Sequence, residues 1–330
     1  SSHTSFMLYL PLSALRERVN RNSVIPLKTA IHFPLFNVES GHPVRGLLYA
    51  LLNNTFIHIP GIGSVTEREL WDSGIHTWRD FLDTRSLPGR ARSAQTVARP
   101  ILERCSERLE DMDVRYFAEN MPRRESWRMY ADFRATAAFL DIETTGLSPQ
   151  SSIITLVGIL DTDGYHPFVY HQNLSDLREA LEKYDLIVTY NGASFDLPFI
   201  EHHFGAVFRH KAHIDLRFVL GRLGLKGGLK SIENRMGVGR PSELSALNGY
   251  DAVRMWRMWA RGNQGALDTL IRYNAEDVLS LPKLAEIAYR RIADSIGAPN
   301  GSLDSWTYPD TDLPYDLDVI RSLSAPRFGR

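Results

Sequence analysis

The 330-residue sequence has little cysteine, no long apolar run and almost no net charge. Cys105 is its single cysteine, which excludes an intramolecular disulfide and a cysteine-based zinc site. Apolar runs of about 18 residues, the length that a membrane-spanning helix needs, do not occur. The first residues also lack a signal-peptide pattern. We therefore expect a cytoplasmic protein without a membrane partner.

The charge balance is even over the chain but uneven along it. The chain has 38 Lys and Arg against 39 Asp and Glu, a net charge of −1, which excludes nucleic-acid binding through bulk charge alone. Residues 209–240, however, carry eight Lys and Arg and only two acids. This basic segment favours local contact with phosphate groups, although a solvated helix face explains such a segment equally well.

Composition and local pattern divide the chain into five parts. The first is 1–52, which prolines interrupt and which stays unassigned; it is followed by a compact segment at 53–84, a helical Arg-rich connector at 85–135, an α/β domain at 136–292 and an acidic, proline-containing tail at 293–330 that we expect to be extended. In the α/β domain, apolar runs of strand length predict strands at Ala137–Leu140, Ile153–Leu160, Pro167–His171 and Leu186–Tyr190.

The sharpest signal in this domain is a pair of acids at the end of its first strand. Asp141 and Glu143 are two positions apart, so their side chains point to the same face of a strand. Two such carboxylates repel each other unless a cation lies between them, and Mg²⁺ prefers oxygen ligands of this kind. Taken alone, the pair is better explained as a solvated strand end.

Two further acidic motifs follow along the chain. Asp196 comes after the strand Leu186–Tyr190, beyond the carboxyl end where open α/β sheets bind ligands, and in the position of a helix N-cap. Tyr273 and Asp277 are four residues apart, which puts both on one face of a helix. Neither motif is informative by itself, because both patterns are common.

In this order, the four acids and the tyrosine resemble the DEDDy branch of the 3′–5′ exonucleases, which belong to the ribonuclease-H-like superfamily. Arg272 stands where the sister branch has a histidine, five positions before Asp277. The resemblance covers 136–292. It implies an α/β fold: a ribonuclease-H-like domain with a mixed central sheet flanked by helices, preceded here by a mostly helical N-terminal region.

The resemblance also implies a role for each of these side chains. Asp141 would bridge two divalent metal ions, Mg²⁺ or Mn²⁺; Glu143 and Asp277 would complete the first metal site and Asp196 would hold the second ion. Tyr273 would orient the attacking water, because a tyrosine with a pKa near 10 is a poor general base at neutral pH.

Other residues are predicted to contact the substrate. Thr144, Asn191 and Phe195 lie within the first two motifs, and Asn191 stands where the family has an asparagine. Lys226 and Lys230 lie in a predicted glycine-rich loop between the second and third motifs, and we expect them to bind the substrate backbone.

A second signal lies in residues 58–64, which resemble the hairpin of a helix-hairpin-helix motif. Gly61 and Gly63 would let backbone N–H groups approach a phosphate at a helix N-terminus. The pattern of a capping box occurs at Ser64–Glu67 and again at Thr77–Asp80. A tight turn used only for packing is the alternative, since the basic residues usual after such a hairpin are missing.

The sequence therefore predicts a metal-dependent 3′–5′ exonuclease acting on single-stranded nucleic-acid ends, with DNA favoured over RNA because of the hairpin. An RNA-trimming enzyme similar to ribonuclease D and a non-catalytic nucleic-acid-binding protein are the alternatives. The presence of all five chemical residues counts against the second alternative.

Overall fold

The computed structural model of the protein describes residues 51–299, 303, 306–309 and 311–324. These residues belong to one of the two compact units of the chain, Tyr49–Arg330. The unassigned segment 1–52 lies outside the described residues except for its last two positions, as do parts of the predicted tail.

Five strands form a mixed sheet in the order β3–β2–β1–β4–β5. The strands are β1 (Ala137–Thr144), β2 (Ile154–Asp161), β3 (Gly164–Val169), β4 (Leu186–Thr189) and β5 (Ala212–Asp215). β1 pairs antiparallel with β2 and parallel with β4, while β2–β3 is antiparallel and β4–β5 parallel. β2 and β4 are buried along their whole length, as expected of strands that are covered on both faces.

The predicted strands are present, and the limits of one of them, β3, differ clearly from the prediction. β3 was expected at Pro167–His171, but it begins at Gly164 because its pairing with β2 starts directly at the turn, where Gly164 lies opposite Asp161. Prolines and glycines in β3 weaken its pattern in the sequence, and the hairpin pairing decides its limits instead.

Helices surround the sheet and form most of the N-terminal region. In chain order they are α1 (Ser64–Asp72), α2 (Trp78–Asp83), α3 (Gln95–Glu110), α4 (Val114–Asn120), α5 (Tyr130–Phe133), α6 (Leu177–Leu181), α7 (Asp196–Phe204), α8 (Leu216–Gly221), α9 (Leu229–Met236), α10 (Ser242–Ser245), α11 (Gly249–Trp259), α12 (Gln264–Leu279), α13 (Leu281–Ile296) and α14 (Leu317–Ser324). Within the described ranges, no helix combines the length and the apolar character needed to cross a membrane.

The side chains of β1 alternate between two layers. Leu140 and Ile142 pack with Phe199 of α7 on one face of the sheet. Phe139 points to the other face and packs against Tyr130, with ring centroids 6.4 Å apart. Because alternate residues share a face, this puts Asp141 and Glu143 on the side of the sheet that α12 covers.

The N-terminal region is helical, as predicted, but one of its two predicted capping boxes is wrong. At Thr77–Asp80 both reciprocal hydrogen bonds are present. At Ser64–Glu67 they are not: Gly63 is the N-cap of α1 and makes no side-chain cap. Glu67 is instead buried, where it accepts two backbone N–H groups and pairs with Arg128. A partner far away in the sequence therefore prevails over the local pattern.

The tail that we expected to be extended contains a helix. Val319, Ile320 and Leu323 of α14 are buried in an apolar cluster that also includes side chains of α11 and α12. The backbone N–H of Asp316 donates to the Thr269 hydroxyl of α12 at 2.9 Å, which fixes the start of α14. Of the tail residues before α14 that the structure describes beyond α13, none is helical.

Candidate active site

The first motif lies at the end of β1, against α12. Asn274 of α12 donates from its Nδ2 to Oδ2 of Asp141 at 2.9 Å. This close approach depends on Gly158, which lies opposite Asp141 on β2. A Cβ at residue 158 would lie 1.8 Å from Oδ1 of Asn274, so a side chain there would displace the Asn274 amide from its contact with Asp141.

The third motif meets the first across this contact. Tyr273 and Asp277 lie on α12 four residues apart, as predicted, and both are buried. Ligand oxygens of Asp141, Glu143 and Asp277 all lie within 4.8 Å of one another. We call these three residues the acidic triad. Their grouping is the only one of at least three metal-ligand side chains among the residues that the structure describes.

Asp196 of the second motif is tied to the same strand. Its Oδ1 accepts the backbone N–H of Ile142 at 3.1 Å, between the two acids of the first motif. Asp196 is therefore beside the acidic triad, and only 4% of it is exposed. It is not the predicted N-cap: Phe195 takes that position, and Asp196 is the first residue of α7. The side chain bonds across to β1 rather than to its own helix.

The loop before Asp196 is held by Asp215 at the end of β5. The two carboxylate oxygens of Asp215 accept the backbone N–H groups of Asn191 and Ala193, at 2.8 and 3.1 Å. Asn191 has a φ of 71°, in the left-handed region that asparagine tolerates better than most residues. Its side-chain oxygen accepts hydrogen bonds from Ser194 and Arg217, so this predicted substrate contact is already engaged within the protein.

The site concentrates negative charge where water is scarce. Burial, followed by the charges of the neighbouring carboxylates, raises the pKa of Asp141 and Glu143 well above the usual range. Burial also raises the pKa of Asp196 to about 7. The pKa of Asp277 is raised by burial too, although the Arg240 guanidinium opposes the shift. Full ionisation of these four groups therefore requires additional positive charge.

Two basic side chains adjoin the acidic triad, and sequence reasoning predicted one of them. Lys230 lies 4.9 Å from the ring centroid of Tyr273 and also donates to the carbonyl of Leu247. Arg240 places its Nη2 2.8 Å from Oδ1 of Asp277. Arg240 counted in the sequence only as one member of the basic segment, since nothing local links it to a residue 37 positions away.

The remaining predicted contacts are spread more widely. The Thr144 hydroxyl donates to the carbonyl of Gly146 at 2.6 Å, in the turn after β1. Phe195 packs on Phe199, with ring centroids 5.3 Å apart. Lys226 is exposed in the loop before α9. In the predicted hairpin, Gly61 has a φ of 86°, which favours glycine. Gly63 has an ordinary φ of −100°.

Comparison with known families accounts for this arrangement of sheet and helices. Residues 138–289 match a family described as the RNase_H superfamily, RNase_H_2. The central domain is ribonuclease-H-like. The predicted fold is thereby confirmed: a mixed five-stranded sheet flanked by helices, after a helical N-terminal region. No curated protein matches the chain.

Several solved structures are similar to the ribonuclease-H-like domain at low identity. The family B DNA polymerase of Pyrobaculum calidifontis is 17% identical over 50% of this chain, with a TM-score of 0.38. This chain spans 28% of that polymerase. NrnC of Brucella melitensis with bound Mg²⁺ is 22% identical, covers 50% of this chain and 78% of its own, and has a TM-score of 0.36. The Nibbler EXO domain of Aedes aegypti is 11% identical, covers 53% of this chain and 90% of its own, and has a TM-score of 0.33.

The donor set of the ribonuclease-H-like domain fits a divalent metal ion. All the ligands of the acidic triad are carboxylate oxygens, the donors that hard cations such as Mg²⁺ and Mn²⁺ prefer. Asn274 and Arg240 each bond one oxygen, of Asp141 and Asp277 respectively, so each carboxylate keeps another oxygen for an ion. A bound cation would also relieve the repulsion that raises the pKa of these groups.

Proposed function

We propose that the protein is a metal-dependent 3′–5′ exonuclease that hydrolyses phosphodiester bonds at single-stranded nucleic-acid ends, with DNA favoured over RNA. One observation carries the proposal: the acidic triad and Asp196 meet at the end of β1, with Tyr273 on the same face of α12 as Asp277. Four carboxylates and a tyrosine gathered at the end of one strand are more than a structural role requires. They provide both the ligands and the hydroxyl that the reaction needs.

The four carboxylates are proposed to hold two divalent ions, Mg²⁺ or Mn²⁺. When bound, these ions supply the activation of water and the stabilisation of the leaving oxygen. Asp141 suits the bridging position because Asn274 bonds its side chain, and the Asp196 carboxylate accepts the backbone N–H of the next residue, Ile142. Glu143 and Asp277 share the acidic triad with Asp141, and Asp196 is tied separately to β1.

Tyr273 is proposed to orient the attacking water. Burial and the neighbouring charges of Asp277 and Glu143 raise the pKa of Tyr273 far above its ordinary value. The hydroxyl therefore stays protonated at neutral pH and donates a hydrogen bond rather than removing a proton. Lys230 over the ring limits how far the ring can turn.

The substrate strand is proposed to leave the site along the basic segment. Between Asp215 and Glu233 the sequence has four Lys and Arg and no acid. Lys230 touches Tyr273, and Lys226 is exposed in the loop that leads to α9. Thr144, Asn191 and Phe195 line the loops at the same edge of the sheet, and Gly61 and Gly63 are proposed to contact the backbone of longer DNA.

A polarity assay tests this function directly. Single-stranded DNA and RNA of one sequence, labelled at the 5′ end, are incubated with the protein and Mg²⁺ or Mn²⁺. We expect a ladder of labelled products that shorten from the 3′ end, faster for DNA. Asp141→Asn should lower the rate at least about 100-fold, because loss of groups that only support a ligand already costs 10- to 100-fold. Asp176→Asn, an exposed acid in the short 3-10 helix before α6, is the matched control.

The outcomes separate the alternatives. Early release of the labelled 5′ nucleotide would contradict the proposed polarity, and internal fragments would indicate an endonuclease. Faster cleavage of RNA would favour the enzyme similar to ribonuclease D. Binding of both strands without cleavage, in the presence of either metal, would favour the non-catalytic protein.

A further inference from the structure

Helix α9 contacts the same face of α12 that carries the third motif. Lys230 and Glu233 are three residues apart on α9 and are therefore neighbours on its surface. Tyr273 and Asp277 are four residues apart on α12 and also share one face of their helix. Lys230 meets the Tyr273 ring, and Glu233 meets Asp277 through Arg240. Two residues of one helix thus support two residues of the other.

The second of these contacts is a buried chain of three charges. Arg240 donates from Nε to Oε2 of Glu233 at 2.9 Å and from Nη2 to both Glu233 oxygens at 2.5 and 2.6 Å. The same Nη2 lies 2.8 Å from Oδ1 of Asp277. The side chains of Arg240, Glu233 and Asp277 are 6%, 3% and 13% exposed. A planar guanidinium held in this way is fixed in orientation as well as in position.

The backbone after α9 brings Arg240 to this position. Gly237 has a φ of 66° and ends the helix in a left-handed cap. The next backbone N–H, of Val238, donates back to the carbonyl of Glu233 at 2.9 Å. The chain therefore reverses directly after α9 and brings Arg240 back to the side chain of Glu233.

We propose that Arg240 is a positioning residue: it fixes the carboxylate of Asp277 so that Oδ2 is presented to a divalent ion, and Glu233 in turn fixes Arg240. This inference rests on the proposed function. Arg240 occupies only Oδ1 of Asp277, which leaves the other oxygen for the ion. Without the guanidinium, the carboxylate of Asp277 would be free to rotate and would turn away from its negative neighbours.

A positive charge next to a metal site also repels the ion, but Glu233 neutralises the charge of Arg240. Arg240 and Glu233 together carry no net charge, so the pair adds little repulsion at the distance of the ion. Arg240 thus acts on Asp277 through one ion pair, from Nη2 to Oδ1, whose direction is fixed by the hydrogen bonds of the guanidinium to Glu233. For that reason we expect the shape of the guanidinium to matter more than its charge.

The test measures metal binding without any substrate. Mn²⁺ is titrated by calorimetry into the full chain carrying Arg240→Gln or Arg240→Lys, and unfolding is followed in the presence of EDTA. We expect Arg240→Gln to weaken Mn²⁺ binding about 10- to 100-fold, the usual cost of removing a group that orients a metal ligand. Arg240→Lys keeps the charge but loses the planar fork, so its affinity should be intermediate.

A second buried ion pair on α12 provides the matched control. Arg272 lies 2.7 Å from Glu276, the residue before Asp277, and both side chains are largely buried. Arg272→Gln removes a buried arginine from the same helix without touching the acidic triad. It should lower stability while leaving the Mn²⁺ affinity within about 2-fold of wild type, since no ligand loses its support.

Each other outcome overturns the inference. An unchanged Mn²⁺ affinity in folded Arg240→Gln, or an equal loss in Arg272→Gln, would show a purely structural ion pair. A higher affinity would show that Arg240 competes with the ion for Asp277. If Arg240→Gln does not fold, Glu233→Gln should still weaken Mn²⁺ binding, and wild-type affinity there contradicts the proposal.

Asp141→Asn separates this inference from the function on which it rests. If Asp141→Asn loses Mn²⁺ binding while the Arg240 variants keep it, the metal site stands and only the role of Arg240 is wrong. If Asp141→Asn binds Mn²⁺ as wild type does, the proposed metal site itself is wrong.

Discussion

Two buried arginines in this chain each lie between two carboxylates, yet their surroundings differ. Arg128 joins Glu67 to Glu125 in the N-terminal region. Arg240 joins Glu233 to Asp277 at the edge of the ribonuclease-H-like domain. Both contacts look like structural salt bridges when they are viewed alone. The difference lies in what else surrounds the acids.

The Arg128 network is closed. Its guanidinium donates from Nε to Glu125, from Nη1 to both Thr55 and Glu67, and from Nη2 to Glu67, at 2.6 to 3.0 Å. Arg222 lies 3.3 Å from the other oxygen of Glu125. Positive charge thus matches negative charge within the network. Its acids have partners without any added cation.

The Arg240 network is open on one side. Asp277 belongs to the acidic triad, and Asp196 lies beside it, so four carboxylates share the positive charge of Lys230 and of one guanidinium that Glu233 already neutralises. Excess negative charge of this kind lowers stability in the absence of an ion. The contrast shows that the balance of charge around a buried arginine distinguishes a structural cluster from one that awaits a cation.

Breaking the closed network should have the largest effect on folding. Arg128→Met leaves Glu67 and Glu125 buried without a guanidinium, so we expect a loss of about 3–5 kcal/mol in the free energy of unfolding, measured in urea. Mn²⁺ affinity should not change. Arg115→Ala, which breaks the exposed pair with Glu119, should leave the urea midpoint unchanged. If Arg128→Met also left the urea midpoint unchanged, the network would not be closed in solution.

Tyr273→Phe tests the role of the tyrosine hydroxyl beside the open network. If the hydroxyl only orients water, kcat should fall roughly 10- to 1000-fold. Mn²⁺ affinity should stay at the wild-type value, since the ring still packs under Lys230 and no carboxylate is lost. Calorimetry that shows weaker Mn²⁺ binding would make Tyr273 part of the metal site instead.

Asp132 is a buried acid outside both networks, and it shows how burial without a neighbouring cation affects stability. Burial raises the pKa of Asp132 to about 8, although the Leu52 N–H bonds its carboxyl group. Its Oδ2 has no hydrogen-bond partner. Between about pH 4 and 8 the folded state holds a proton that the unfolded state releases, so stability should fall as pH rises, by about 1.4 kcal/mol per pH unit.

Asp132→Asn should remove this dependence on pH. Unfolding in urea at pH 5, 6, 7 and 8 measures the slope, and the amide should make it flatter than in the wild type. Equal slopes in the two proteins would show that Asp132 titrates normally. Because both proteins keep the acidic triad, any slope that remains in Asp132→Asn belongs to other groups.

The smallest expected effect is the most specific to the open network. Asp141→Asn removes one negative charge from a cluster of like charges, so unfolding in EDTA should show stability equal to wild type or higher by up to about 1 kcal/mol. Added Mn²⁺ should then stabilise the wild type more than the variant. A loss of several kcal/mol in EDTA would mean that Asp141 is a structural acid of the same kind as Glu67.

Much of the fold could be predicted because its signals are local. The runs of apolar and β-branched residues in β1, β2 and β4 indicated buried strands, and Tyr273 and Asp277 indicated a shared helix face. The acidic motifs could be ordered from their resemblance to known exonucleases. Their convergence follows from the sheet, since β1 and β4 run parallel and end at one edge.

What the sequence did not predict depends on distant partners. Glu67 fits a capping box, but its contact with Arg128 is 61 positions away. Arg240 and Asn274 have no local pattern that connects them to Asp277 or Asp141. Gly158 likewise has no local pattern that accounts for it, and the close approach of the Asn274 side chain of α12 explains it. In α14 the spacing of Val319, Ile320 and Leu323 was a usable helix signal that the surrounding prolines obscured.

The position of α14 has a practical consequence for dividing the chain. The family match ends at 289, yet α14, at Leu317–Ser324, fills an apolar cluster shared with α11, α12, Leu156 of β2 and Val169 of β3. A fragment trimmed to the matched residues would expose that cluster to water and invite aggregation. A fragment for expression should therefore extend at least to Ser324, the end of α14, and not stop at residue 289, where the family match ends.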